Sequence, residues 1–260
     1  MFLHVNDLTV HVQVEGPETA PPLLLLHSLG TSLHVWDAQA AALAQHYRVI
    51  RPDMRGHGLT SVTLGPYTLH ALAADVLAVL DALKIERAHV AGLSIGGAIA
   101  QTMAARAGGR LRSLILCDTA MTFPTEAMWR DRAALVRAQG TDAVVEPVMA
   151  RWVTEDFLPS PAAEGLRAML RRTDREGYAG CAEALAGGDL VESTAALRMP
   201  ALVLVGENDL STPVAAAQAI VDAIPGAALK VLPGAAHIPT VQVPEAVTAA
   251  MLAFLAVQPA

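Results

Sequence analysis

Residues 8–15, LTVHVQVE, alternate apolar and polar side chains. That two-residue period marks a half-buried strand, and with Phe2–Val5 it predicts an N-terminal hairpin. The pattern then changes. PPLLLLHS (21–28) is an unbroken apolar run behind two prolines, as expected of a parallel strand covered on both faces. YRVIRPD (47–53), AHVAGLS (88–94) and LRSLILCDT (111–119) have the same character. Between them the period lengthens. Residues 38–45 are helical by composition, residues 68–83 put Leu69, Leu72, Val76, Leu77 and Leu80 on one helical face, and residues 95–107 form a further helix. Strands and helices alternating at this spacing predict a parallel sheet with both faces covered.

The rhythm stops near Met121. From there to Leu190 no strand-like run occurs; helical segments rich in Arg, Glu and Ala carry Trp129 and Trp152 and are punctuated at Pro124, Pro147, Pro159 and Pro161. It resumes with PALVLVGEND (200–209), a helix over 214–224, ALKVLPGAAH (228–237) and a closing helix over 244–255. The expectation is an α/β fold with a mostly parallel, eight-stranded sheet. A helical cap, residues 121–190, is inserted after the sixth strand of a core formed by residues 1–120 and 191–260.

Composition narrows the class. Apolar residues make up 53% of the chain, enough for a large core, and charged residues only 17%. A net charge of -7 without a basic run argues against nucleic acid or an anionic membrane as partner. Two cysteines, Cys117 and Cys181, form no disulfide framework and fit a reducing cytoplasm. The N-terminus has no basic segment followed by a long apolar one, so no secretory signal is read, and Leu23–Leu26 is far too short to cross a bilayer. The expected molecule is soluble and cytoplasmic.

The candidate chemistry centres on GLSIG, residues 92–96, a G-x-S-x-G motif with an apolar strand before it and a small-residue helix after it. A serine at such a turn occupies strained backbone, which the flanking glycines accommodate, and its hydroxyl is presented near free helix N–H groups. Ser94 is therefore the expected nucleophile. It needs a base oriented by a carboxylate, met along the chain in the order Ser, Asp or Glu, His. His237, on the loop after the last strand, is the expected base. His57 is read as a structural loop residue and His27 as lining the site; the other histidines read as surface or strand positions. Asp209, just past the seventh strand, is the expected acid, with Asp118 the other position from which a carboxylate reaches the base. Thr212 is read as the cap of a helix beginning at Pro213. The oxyanion donors are expected at the N–H of Ile95 and, from the loop after the third strand, of Leu29. No metal-binding motif or clustered Cys/His ligand set is present, so neither metal nor organic cofactor is expected.

At these residues the chain resembles the α/β-hydrolase superfamily over essentially its whole length, and within it the 3-oxoadipate enol-lactonases of aromatic catabolism. HSLGTSLHVWD, VIRPDMRGHG, GPYT, GLSIGGAIAQ and LCDTA carry the resemblance, as do EAMWRDR, ARWVTEDF and TDREGYAGCAEAL in the cap. Most members of the superfamily have His-Gly where this chain has His27-Ser28, although the lactonases admit serine there. The resemblance implies an α/β-hydrolase fold, a Ser94–His237–Asp209 triad, Leu29 and Ile95 as oxyanion donors, and hydrolysis of a small acidic lactone by a monomer or homodimer.

A carboxylate on the substrate calls for a cation. Arg132 beside Trp129 is the expected ligand, ahead of Arg130, with Trp129 and Trp152 as pocket walls; Arg151 adjoins Trp152. Competing readings are a general carboxylesterase or other lactonase, a carbon–carbon bond hydrolase of the same fold, and a non-catalytic small-ligand receptor.

Overall fold

The computed structural model describes residues 1–123 and 125–258; Pro124, read above as punctuation, lies outside them. Its strands are β1 (Phe2–Val5), β2 (Leu8–Glu15), β3 (Pro22–Leu26), β4 (Arg48–Pro52), β5 (Ala88–Leu93), β6 (Leu111–Cys117), β7 (Ala201–Gly206) and β8 (Ala228–Leu232). They form one sheet in the order β1-β2-β4-β3-β5-β6-β7-β8. The β1–β2 hairpin and the β2–β4 pair are antiparallel; every pair from β4 to β8 is parallel. Every residue of β5 and β7 is buried, which is why those segments read as continuous apolar runs, whereas β2 alternates between buried and half-buried positions. The edge strand β8 exposes Lys230, a charge that discourages pairing with another chain.

Strand order reverses at β3: β4 lies on one side of it and β5 on the other. The loops leaving β3 and β5 therefore diverge and open a crevice at the carboxyl ends of the strands, where ligands gather in sheets of this kind. Helix α1 (Asp37–Leu43) packs on the short α10 (Pro239–Gln242) and on α11 (Pro244–Leu255), and α2 (Leu69–Ala82) on α3 (Ile95–Ala107). Thr68 starts α2 by accepting the Ala71 N–H at 3.0 Å, satisfying a donor that the first helical turn leaves free.

Helices α4 (Glu126–Gln139), α5 (Val145–Trp152), α6 (Pro161–Arg172), α7 (Arg175–Ala186) and the short α8 (Val191–Ala195) fall between β6 and β7. Thr122 and Asp189 form an isolated antiparallel bridge where this excursion leaves and rejoins the sheet. Helices α4 and α7 pack together, and Arg137 of α4 holds Glu176 and Glu183 of α7 in two ion pairs at 2.8 and 2.5 Å. Helix α7 meets the loop after β4 through backbone: a Cβ on Gly177 would lie 2.3 Å from the Gly56 carbonyl oxygen. Cys117 and Cys181 are buried and unpaired. No helix among the described residues is long and apolar enough to cross a membrane.

Gly177→Ala is expected to push α7 off its seat and lower stability by about 1–3 kcal/mol, the usual cost of overpacking. Gly165→Ala, on a part of α6 where an added methyl meets nothing within 4 Å, is expected to raise stability by about 0.5–1 kcal/mol. Denaturant unfolding of the two variants beside the parent checks both signs.

Candidate active site

Ser94 sits between the last residue of β5 and the first of α3 with φ +57° and ψ -117°, a conformation that costs an L-residue energy. It is held there from several sides. Its N–H donates to the Cys117 carbonyl at 2.9 Å, and its own carbonyl accepts from the Thr119 hydroxyl at 2.7 Å and from the N–H groups of Gly97 and Ala98. The two motif glycines are steric necessities. A Cβ on Gly92 would lie 2.2 Å from the Gly96 carbonyl oxygen, and one on Gly96 would lie 2.4 Å from the Leu26 carbonyl oxygen.

His237 Nε2 is 3.0 Å from Ser94 Oγ, and His237 Nδ1 is 2.8 Å from Asp209 Oδ2. With Nδ1–H donating to the carboxylate, Nε2 presents a lone pair to the serine hydroxyl, the arrangement of a general base. The loop bearing His237 is tied to the rest: the Ile238 N–H donates to the Trp152 carbonyl at 2.8 Å, and Gln242 takes the Ala236 N–H while donating to the Gly234 carbonyl and the Thr154 hydroxyl. Asp209 accepts from the N–H groups of Ser211 and Thr212 and from the Thr212 hydroxyl. Thr212 therefore does not cap the following helix, contrary to expectation. That helix, α9 (Val214–Ala223), has Pro213 at its N-cap, and the hydroxyl is spent on Asp209 because the carboxylate is the stronger acceptor. Burial pushes the Asp209 carboxyl up, but His237 and these donors outweigh it and bring it to about 2.

Asp118 is fully buried at the end of β6 with φ +43°. One oxygen accepts the Gly206 N–H at 2.8 Å, and the other has no hydrogen-bond partner among the described residues. Ligating atoms of Asp118, Asp209 and His237 lie within 4.8 Å of one another. Both ring nitrogens of His237 and both oxygens of Asp209 are already hydrogen-bonded, so the cluster reads as a Ser–His–Asp chain with an adjoining acid rather than a set of free ligands. Burial, with the Asp209 charge beside it, drives the Asp118 carboxyl well above the usual carboxylate range.

His27 differs from its expected place. It is fully buried beneath the loop after β3, donating from Nδ1 to the Ser28 carbonyl and accepting the Met54 N–H at Nε2, and it does not line the cavity. His57 is a loop residue, as read, with both nitrogens bonded to backbone. Leu29 lines the cavity, and Ile95 is the first residue of α3. Among the described residues neither N–H has an acceptor.

Ser94 and His237 open on a cavity of about 130 Å³ that Trp129, Arg132, Arg151 and Trp152 also line. The Arg132 guanidinium stacks 4.9 Å from the centre of the Trp129 ring. Residues 121–190 carry eight arginines, of which Arg130, Arg137, Arg167 and Arg171 pair with carboxylates of neighbouring helices or turns. Arg132 and Arg151, the two in the cavity wall, make no ion pair among the described residues. Arg130 points away, paired with Glu126 one turn earlier at 2.7 Å. Thr212, Gln242 and Tyr178, which also walls the cavity, were not singled out as site residues by their sequence context.

Comparison with known proteins places this geometry. A family described as alpha/beta hydrolase fold matches residues 21–242. The chain is 37% identical over 246 residues to 3-oxoadipate enol-lactonase 2 of Acinetobacter baylyi, covering 94% of this chain and 92% of that one. It superposes on the crystal structure of the enol-lactonase from Burkholderia xenovorans LB400 with a TM-score of 0.96 at 37% identity, covering 98% and 100% of the two chains. A malate-bound thermophilic esterase from Thermogutta terrifontis matches with a TM-score of 0.93 at 30% identity over 98% and 97%.

The two buried acids should separate on mutation. Asp209→Asn is expected to slow labelling of Ser94 by a serine-directed organophosphonate by about 10⁴-fold, since the base loses its orienting charge. Asp118→Asn should change that rate by less than about tenfold. Its effect appears in stability. A carboxyl whose folded pKa is raised stabilises the fold fully only below its unfolded value of about 3.9, and the contribution fades as pH rises. Asp118→Asn removes that loss, so its melting temperature should exceed the parent's at pH 7 by a margin that shrinks toward pH 4.

Proposed function

The chain belongs to the alpha/beta hydrolase fold family, and we propose that it opens a small carboxylate-bearing enol-lactone, converting 3-oxoadipate enol-lactone to 3-oxoadipate. The observation that carries this reading is the pairing of contents in one cavity. A serine hydroxyl 3.0 Å from an imidazole shares about 130 Å³ with two arginines that have no carboxylate partner among the described residues. The volume is close to that of an engineered cavity of about 150 Å³ that accepts benzene, which suits a five-membered ring and a short acidic arm better than a long ester. The identity to enol-lactonases over nearly the whole chain, and the bound dicarboxylate named for the related esterase, support the same choice.

In this reading Ser94, His237 and Asp209 form the triad, and residues 121–190 act as a cap that supplies the substrate-binding side chains. Arg132 binds the arm carboxylate, with Trp129 and Trp152 as walls and Arg151 at its side. Ser94 Oγ attacks the lactone carbonyl while His237 Nε2 takes its proton, and the Asp209 carboxylate stabilises the imidazolium. The tetrahedral oxyanion is held by the N–H groups of Leu29 and Ile95, each worth about 3 kcal/mol in the transition state. Collapse breaks the ring C–O bond; the departing enolate takes the proton from His237 and tautomerises to the ketone. The acyl group stays on Ser94 until a water, deprotonated by His237, attacks the ester and releases the acid. Every step is proton transfer and acyl transfer, so these side chains suffice for it.

A spectrophotometric assay on the enol-lactone beside p-nitrophenyl acetate tests the proposal. The expected kcat/KM is at least about 100-fold higher on the lactone; comparable slow rates on both would leave only a general esterase. Arg132→Gln is expected to lower kcat/KM on the lactone by about 10- to 100-fold, the worth of a charge-assisted hydrogen bond, and to leave the neutral ester unchanged.

A further inference from the structure

We infer that Thr31 and His27 are positioning residues for the oxyanion hole: they grip the carbonyl of Ser28 and, through the planar Ser28–Leu29 peptide, aim the Leu29 N–H at the acyl oxygen. The inference rests on the proposed role of Leu29 as a donor and adds what sets its direction.

The Ser28 carbonyl oxygen is engaged from three sides. The Thr31 hydroxyl donates to it at 2.8 Å, His27 Nδ1 lies at 2.9 Å, and the Thr31 N–H at 3.2 Å. His27 can donate there because its other nitrogen is committed: Nε2 accepts the Met54 N–H at 2.9 Å, which leaves the ring proton on Nδ1. In a trans peptide the C=O and N–H point in opposite directions and the plane resists twisting. Fixing the carbonyl from behind therefore fixes the N–H in front. Donation into the carbonyl also polarises the peptide and makes its N–H a better donor.

The next peptide is held from its other end. The Gly30 N–H donates to His57 Nε2 at 3.0 Å, and His57 Nδ1 donates to the Arg55 carbonyl at 3.0 Å. Leu29 is thus flanked by two clamped peptides. Gly30 itself sits at φ +75°, in the left-handed region that favours glycine. His27, Ser28, Thr31 and His57 are all buried, so water does not compete for these bonds. Burial also pushes both imidazoles below the ordinary histidine range, His57 to about 3, so each keeps the lone pair that its backbone partner needs.

The test compares Thr31→Val, which keeps the shape and removes the hydroxyl donor, with Thr31→Ser, which keeps the donor. Three quantities are read: kcat, KM, and inhibition by an alkyl boronic acid, whose tetrahedral adduct on Ser94 puts an oxygen where the oxyanion forms. A misaimed donor should cost less than the roughly 100- to 1,000-fold of a deleted one. Thr31→Val is therefore expected to lower kcat by about tenfold or more with KM within about twofold, and to weaken the boronic acid by the same factor. Thr31→Ser should restore both. If Thr31→Val does not fold, His27→Asn, which keeps a donor at the Nδ1 position, should retain more kcat than His27→Leu. Parent-like kcat and boronic acid affinity in Thr31→Val, with Ser94→Ala inert, would overturn the clamp and leave the hydrolase reading standing. Loss of kcat without weaker boronic acid binding would overturn it too. Turnover that survives Ser94→Ala would instead remove the reading on which the clamp rests.

Discussion

How near α3 can come to β3 and β5 decides where the chemistry of this protein sits. The helix starts one residue after the strand ends, so the connecting residue has to reverse the chain in a single step, at φ +57° for a serine. Such a conformation costs about 1–3 kcal/mol and persists only where its surroundings dictate it. Here they do, through the bonds from the Ser94 backbone to Cys117, Thr119 and the first turn of α3. The close approach has its own condition: no side chain at 92 or 96, because each site faces backbone within 2.5 Å. Two missing methyl groups thus set the position of the hydroxyl. The Ile95 N–H follows from the same turn, being the first free donor of the helix.

The electrostatics obey a second condition: two carboxyl groups buried side by side cannot both ionise. What breaks the tie is the number of donors. Among the described residues Asp209 accepts two backbone N–H groups, a hydroxyl and an imidazole, whereas Asp118 accepts only the Gly206 N–H. The first is held down at about 2 and the second is driven well above the usual carboxylate range. Environments that push paired acids apart in this way are how one site keeps a charge where the base needs it and none where it would compete. The negative charge sits on the acid that touches His237, and Asp118 serves by holding Gly206, the last residue of β7, in place.

Much of this was legible in the chain because its local rules and its fold agree. Buried parallel strands need unbroken apolar runs, and β3, β5 and β7 have them. The α/β sheet with its helical insertion followed from those runs, while the enol-lactonase likeness rested on the resemblance of whole motifs such as HSLGTSLHVWD and of cap segments such as EAMWRDR and TDREGYAGCAEAL. What stayed hidden depends on partners far along the chain. Thr212 is the exception: it has the spacing of a helix cap, yet its hydroxyl goes to Asp209 only three residues back. His27 sits next to cavity residues in sequence, yet its ring turns inward to Met54, contributed by the loop after β4. The eight arginines of 121–190 look alike as text. Arg130 finds its acid one turn back on its own helix, a pairing that spacing alone suggests. Arg137 is neutralised by α7, and that packing exists only once α4 and α7 are side by side.

The same sorting of arginines resolves an apparent conflict in the proposed activity, since a protein of net charge -7 repels an anionic substrate at a distance. At physiological ionic strength the field of exposed charges is screened within about 8 Å, so the net charge governs the approach only weakly. Inside the mouth the balance reverses. Four of the eight arginines of the excursion pair with neighbouring carboxylates; of the four that make no ion pair among the described residues, Arg132 and Arg151 face the cavity that holds Ser94. Low dielectric and the aromatic wall of Trp129 strengthen whatever charge pairing forms there. Attraction for an acidic arm is thus a local property of the pocket. It acts only after the ring has entered, which favours orienting the lactone carbonyl toward Ser94 over capturing it from afar.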